Sequence, residues 1–123
     1  MLRRLVLAIA ALTLVTGLAQ MIWPGPMLEM VGASATETAG HLFATVGMFM
    51  ALFGAAVWRS ERALTSDGGI LPWAALQKAG ASALVALGVA RHVFANRALL
   101  VAAFDGLSAV LIAAHMMTRR PRS

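Results

Sequence analysis

Cysteine is absent from this 123-residue chain, and charge is scarce, at 12% of residues. The first absence excludes disulfides, thiolate metal sites and thiol redox chemistry. The second sets the chain apart from soluble domains, which carry about 25% charged residues. Enzyme signatures are missing too. Gly68-Gly69 lacks the lysine and flanks of a phosphate loop, and no H-E-x-x-H occurs. Ser108 has no histidine near enough in sequence to suggest a triad, so its hydroxyl is expected to bond its own helix backbone. No catalytic residue and no metal ligand set is assigned.

Apolar residues are abundant, at 60%. A soluble fold this small could not bury so much apolar surface, because small domains hide the smaller share of their surface. Four apolar stretches, over residues 5–23, 40–58, 72–91 and 98–117, nearly tile the chain. Each is close to the ~20 residues that cross a ~30 Å hydrocarbon core as a helix. The expected fold is all-α: one domain, an integral-membrane antiparallel four-helix bundle.

The net charge is +5. On a soluble chain this would suggest nucleic acid, but here the arginines collect at helix ends. Arg3, Arg4, Arg59, Arg62, Arg119, Arg120 and Arg122 would share one side of the membrane. Arg91 and Arg97 lie on the other, offset by Glu29 and Glu37. The positive-inside rule then puts both termini in the cytoplasm of a bacterial-type inner membrane, with lipid rather than nucleic acid as partner. Leu2-Arg3-Arg4 and the apolar run after it also resemble a secretory signal, with Gly17-Leu18-Ala19 as a cleavage site. The run continues through Trp23, longer than signal segments need, so an uncleaved first span is expected.

Trp23-Pro24-Gly25-Pro26 ends the first helix, since proline cannot continue its ladder. Residues 26–33 read as a short amphipathic turn on the outer interface. Ser34-Ala35-Thr36-Glu37 has the spacing of a capping box opening the second helix, which runs to about Arg62. Gly40, Ala44, Gly47, Ala51 and Ala55 form a small-residue stripe along it. Such stripes let backbones approach closely in lipid. Ser66-Asp67-Gly68-Gly69 reads as a turn before Pro72 opens the third helix. Ala79, Ala83, Ala86 and Ala90 on the third helix, and Ala102, Gly106, Ala109 and Ala113 on the fourth, repeat the small-residue theme. Asn96 is the expected cap of the fourth helix.

Asp105 is the most informative single residue. It lies roughly 10 Å inside the fourth span, counted from its outer end. An intramembrane aspartate costs ~2.5–3.5 kcal/mol on insertion scales, so it is expected to face the interior and find a partner. It could carry a proton or contact a ligand; a polar clamp between helices is the reading preferred here. Arg91 and His41 start near its level and either could meet it. Lys78 enters from the opposite side, about 11 Å away in height, and is expected to snorkel to the cytoplasmic surface instead. His41 and His92 lie near the outer face. Two histidines can ligate haem b, but nothing marks a cavity of that size, so interfacial hydrogen bonding is expected. Met21, Met27, Met30, Met48 and Met50 are spaced too loosely for a copper site and read as packing.

Four helices in this length, the Trp-Pro end of the first, the segment from His41 to Gly54, Gln77-Lys78-Ala79-Gly80 and Phe104-Asp105-Gly106 together resemble the small bacterial DoxX-like membrane proteins. The chain departs from DoxX proper in lacking a glycine-and-lysine signature at the end of the first helix. The resemblance implies a four-helix inner-membrane protein, in a superfamily with one member that is a subunit of a quinone-linked oxidoreductase. It carries over no catalytic residue. Three functions follow as expectations. The first, favoured by short loops and small-residue stripes, is a non-enzymatic or accessory subunit with a membrane-protein partner or a second copy. The second is a quinone-linked redox subunit, using Asp105 with His41 or His92. The third is a small proton-coupled carrier or exporter, for which no inverted repeat is visible.

Overall fold

The computed structural model describes residues 1–63 and 69–118. These are almost entirely helical: α1 (Leu2–Ile22), α2 (Pro24–Met30), α3 (Glu37–Arg62), α4 (Leu71–Ala90), a 3-10 turn (Asn96–Ala98) and α5 (Leu99–Thr118). The helices α1, α3 and α4, and α5 together with its 3-10 turn, are each long and apolar enough to cross a membrane. α1 and α3 form one antiparallel hairpin, α4 and α5 another, and α1 against α5 joins them. α3 and α4 barely meet. We refer to the end holding the start of α1 and the finish of α5 as the termini end, and to the opposite end as the loop end.

All four long helices converge towards the termini end. There Val6, Ile9 and Ala10 of α1, Val57 of α3, Leu71 and Ala74 of α4 and Ile112 of α5 form the buried core. The buried positions of α1 recur as Val6, Ile9, Ala10, Thr13, Gly17 and Gln20. Steps of three and four from Val6 through Ala10, Thr13 and Gly17 to Gln20, with Ile9 beside Ala10, keep them on one face of a helix with 3.6 residues per turn. On α3 steps of seven, four and three give Gly40, Gly47, Ala51, Gly54, Val57 and Glu61.

The small-residue stripe of α3 is therefore right to within one residue. Gly40, Gly47 and Ala51 are buried and Ala44 half-buried, but Ala55 is exposed and Gly54 takes its place. Four residues after Ala51 the helix has turned past the contact, whereas three residues remain on it. The α1–α3 contact is backbone to backbone. A Cβ built on Gly17 would lie 2.5 Å from the Gly47 carbonyl oxygen, and one on Gly47 2.6 Å from that of Gly17. On α5 Ala102 is buried and Gly106 half-buried, the latter close to Ser82 of α4. Ser82 donates to the Ala102 carbonyl at 2.7 Å, stitching the second hairpin.

The expectation for α4 is corrected: Ala79, Ala83, Ala86 and Ala90 are exposed. Its inward face carries Leu71, Ala74, Lys78 and Val89 instead. The charged lysine selects the face, because a polar group in an apolar surround belongs inside the bundle.

The loop end is knitted by backbone. α2 begins at Pro24, two residues before the amphipathic turn read from the sequence, and buries Leu28. Gly32 (φ +74°) closes it, with Gly32 N–H donating to Glu29 and Ala33 N–H to Leu28. This is the paired-bond ending in which a left-handed residue satisfies the last carbonyls of a helix. α4 ends in the same way, with His92 N–H donating to Val89 and Val93 N–H to Gly88. Here the left-handed residue is His92, at φ +60°. A Cβ makes that conformation costly by about 1–2 kcal/mol. His92→Gly is therefore expected to stabilise the fold by about 1 kcal/mol, read as a rightward shift in a detergent unfolding titration. Unchanged stability would contradict it.

Two caps differ from expectation. Thr36, rather than Ser34, caps α3, accepting from Ala39 N–H at 3.1 Å. Thr36 itself is extended, so the helix starts at Glu37 and the hydroxyl beside its first turn does the capping. Asn96 lies inside the 3-10 turn and does not cap α5. Most of the turn expected at 66–69, and the arginine tail, lie outside the described residues.

Candidate functional site: two buried polar pairs

One face of α5 carries every polar group that helix buries: Asp105, Ser108 and His115, in line with Ala102 and Ile112. Against this face stand Thr13 of α1, Lys78 of α4 and Glu61 of α3. Two clusters result, one near mid-span and one at the termini end.

In the first, the Lys78 ammonium donates to Thr13 Oγ1 at 2.7 Å and to Asp105 Oδ1 at 3.3 Å. The lysine side chain is 4% exposed and the aspartate 11%. Phe104 adds its ring face, 5.5 Å from the ammonium. A cation over an aromatic face is attracted by the ring quadrupole. Three helices are thereby tied at a single nitrogen.

This overturns the expectation that Lys78 snorkels. The route towards the termini end is filled by the packed core of Val6, Ile9, Ala10, Leu71 and Ala74. Snorkelling would drag an ammonium along those side chains, whereas a carboxylate and a hydroxyl lie within reach in the interior. Thr13 supplies the intermediate height that a comparison of α4 with α5 alone leaves out. Arg91 and His41 do not serve as partners of Asp105; both are exposed. His92 is exposed as well, so both loop-end histidines lie outside the buried face. Ser108 is 1% exposed, on the interior stripe between the two clusters.

The second cluster was not anticipated. Glu61 Oε2 and His115 Nε2 stand 2.8 Å apart, their side chains 2% and 11% exposed. Arg3 donates to the Glu61 carbonyl oxygen through Nε at 3.2 Å and a terminal nitrogen at 2.7 Å. The guanidinium thus covers the C-terminal end of α3, where carbonyls are unpaired and the helix dipole is negative. The start of α1 and the finishes of α3 and α5 meet in this one knot.

Thr13, Glu61 and Gln20 were the residues missed. Gln20 donates to the Phe43 carbonyl at 3.3 Å, adding a third polar contact between α1 and α3. The signal was available: each sits on the three-four spacing of small or buried residues on its own helix. Glu61 was hidden by its neighbours Arg59 and Arg62, which made the segment read as a solvated end.

Beside Lys78 lies a small, almost wholly apolar space of about 10 Å³, lined by Thr13, Phe53, Gln77, Lys78, Ile112 and residues of the core. Among the described residues, no three His, Asp or Glu side chains gather as a metal site.

Comparison with known proteins found no significant match among family models, curated proteins or solved structures.

Proposed function

We propose that this chain is a non-enzymatic, multi-pass protein of a bacterial-type cytoplasmic membrane, with both termini inside, acting as an accessory subunit beside a membrane-protein partner. The observation that carries the reading is the uncovered face of α4. Only 17% of that helix's apolar window is buried, against 28–33% in the other three spans. Ala79, Gly80, Ala83, Ala86 and Ala90 lie on its exposed side. Small residues are what helix contacts in lipid use, because they bring backbones close. The interior points the same way, since the chain's polar groups are spent on holding its own helices together. The resemblance to DoxX-like proteins is in keeping with this reading, and the arginine distribution supports the orientation.

The test is purification from the native membrane in mild detergent, with an absorption spectrum and mass measurement of the intact assembly. A colourless complex of fixed stoichiometry with a second membrane protein is expected. A Soret band or a stoichiometric quinone would replace the proposal with the redox reading. A colourless species containing this chain alone would also sink it. Ala83→Leu is expected to leave helicity unchanged and to release the partner, a loss of about tenfold or more in affinity if one close backbone contact is opened.

A further inference from the structure

We propose that α4 pairs with the α4 of a second copy of this chain, making a parallel, two-fold symmetric dimer held at Gln77. The proposal rests on the membrane placement above but not on the accessory role. Gln77 carries it. The residue lies six positions into α4, about 9 Å from its start. It is half-buried on the side of α4 that faces α3, where it lines the small space with Phe53 and Val57. Its amide makes no hydrogen bond to the described residues. Nor is it sealed inside, since among those residues no buried side-chain nitrogen or oxygen lacks a partner. The amide therefore opens to the membrane phase. Hydrocarbon offers it no partner, and glutamines in spanning helices bond to other helices instead. Within this bundle no helix covers that side, because α3 and α4 barely meet.

The face around Gln77 has the spacing of a helix contact. Trp73, Gly80, Leu84 and Leu87 are exposed and fall in line with it, at alternating steps of four and three. Such steps make the 3.5-residue seam of a left-handed helix pair, in which one polar residue fixes register and the number of helices. A Cβ on Gly80 would meet nothing of its own chain within 4 Å, so bare backbone is presented one turn from the amide. The amide's chemistry selects the occupant. It carries both N–H donors and a carbonyl acceptor, so it is complementary in partial charge to a second copy of itself. Two copies inserted with the one orientation set by the arginines place Gln77 against Gln77 at equal depth, about a two-fold axis along the membrane normal. Ala79 and Ala86 lie three and four residues from Ser82, whose hydroxyl bonds α5. They therefore flank α5, outside the seam, and stay free for a second membrane protein.

The experiment is a cysteine scan of α4 in the full chain, which has no cysteine of its own. Each variant is reconstituted in phosphatidylcholine liposomes, oxidised with copper phenanthroline and read as covalent dimer. Gly80→Cys, Leu84→Cys and Leu87→Cys are expected to cross-link, with yields that fall only at high lipid dilution. Ala79→Cys and Ala86→Cys are expected not to cross-link. Added to Leu84→Cys, Gln77→Leu is expected to weaken the dimer about tenfold, read as a shift of the dilution midpoint. Gln77→Asn, which keeps donor and acceptor, should restore most of that loss. Cross-linking at Ala79→Cys and Ala86→Cys instead, or at none of the five positions, would overturn the dimer and leave the accessory role standing. An unchanged midpoint in Gln77→Leu, with wild-type circular dichroism, would also overturn it, since the amide would not hold the pair. Failure of the chain to float with the liposomes would remove the membrane placement and the dimer with it.

Discussion

Asp105→Ala is expected to destabilise the folded bundle by about 3–5 kcal/mol, because it leaves the Lys78 ammonium buried with only a hydroxyl to face. The size follows from the asymmetry of buried ion pairs. Removing one partner exposes the full desolvation penalty of the other, while removing both is often neutral. Lys78→Met alone is expected to be damaging as well, since Asp105 then loses its counter-ion and must take up a proton to stay buried. The double variant Lys78→Met/Asp105→Leu should recover most of the loss. Thr13→Ala should cost less, about 1.5–3 kcal/mol, the value of a hydrogen bond to a charged group. A detergent unfolding titration followed by circular dichroism measures all four. Additive losses in the double variant would mean the two side chains do not interact.

Gly47→Leu is expected to separate α1 from α3, with a loss of about 3 kcal/mol or more. The Cβ alone would stand 2.6 Å from the Gly17 carbonyl oxygen and 2.7 Å from the Gln20 Cβ. Backbone cannot yield as a flexible side chain can, so the helices must move apart along much of their shared length. Gly80→Leu is the matched control, as nothing lies within 4 Å of a Cβ there. In the unfolding titration the first variant should shift strongly and the second hardly at all. Equal shifts would mean that helix propensity, not contact, sets the cost.

The four long apolar helices and their ends were legible because length, apolarity and the Trp23-Pro24 break act locally. So was the α3 stripe, except that a four-residue step was extended to Ala55 where the helix needed three. What the sequence did not disclose was the pairing. Depth along a single helix was reckoned from the ends of α4 and α5, and a gap of about 11 Å appeared too wide. The lysine side chain and a hydroxyl on a third helix together span that height. The α4 stripe failed for a related reason: alanines occur all round that helix, and only Lys78 distinguishes its faces. Glu61 failed because burial of an acid at a helix end depends on His115, more than fifty residues away in sequence.

The order of the helices in space has a bearing on how the chain is made. α1 emerges first, and both α3 and α5 later settle against it. When α3 follows, its partner is already present, and the glycine contact can close at once. α4 arrives next with little to hold it, for it scarcely touches α3. On the membrane placement proposed above, Lys78 then has Thr13 as its polar neighbour, while Asp105, 27 residues behind it, has yet to arrive. During that interval the second hairpin is a half-finished object with one loose helix. It is the stage at which an insertion chaperone or a waiting neighbour has most to hold.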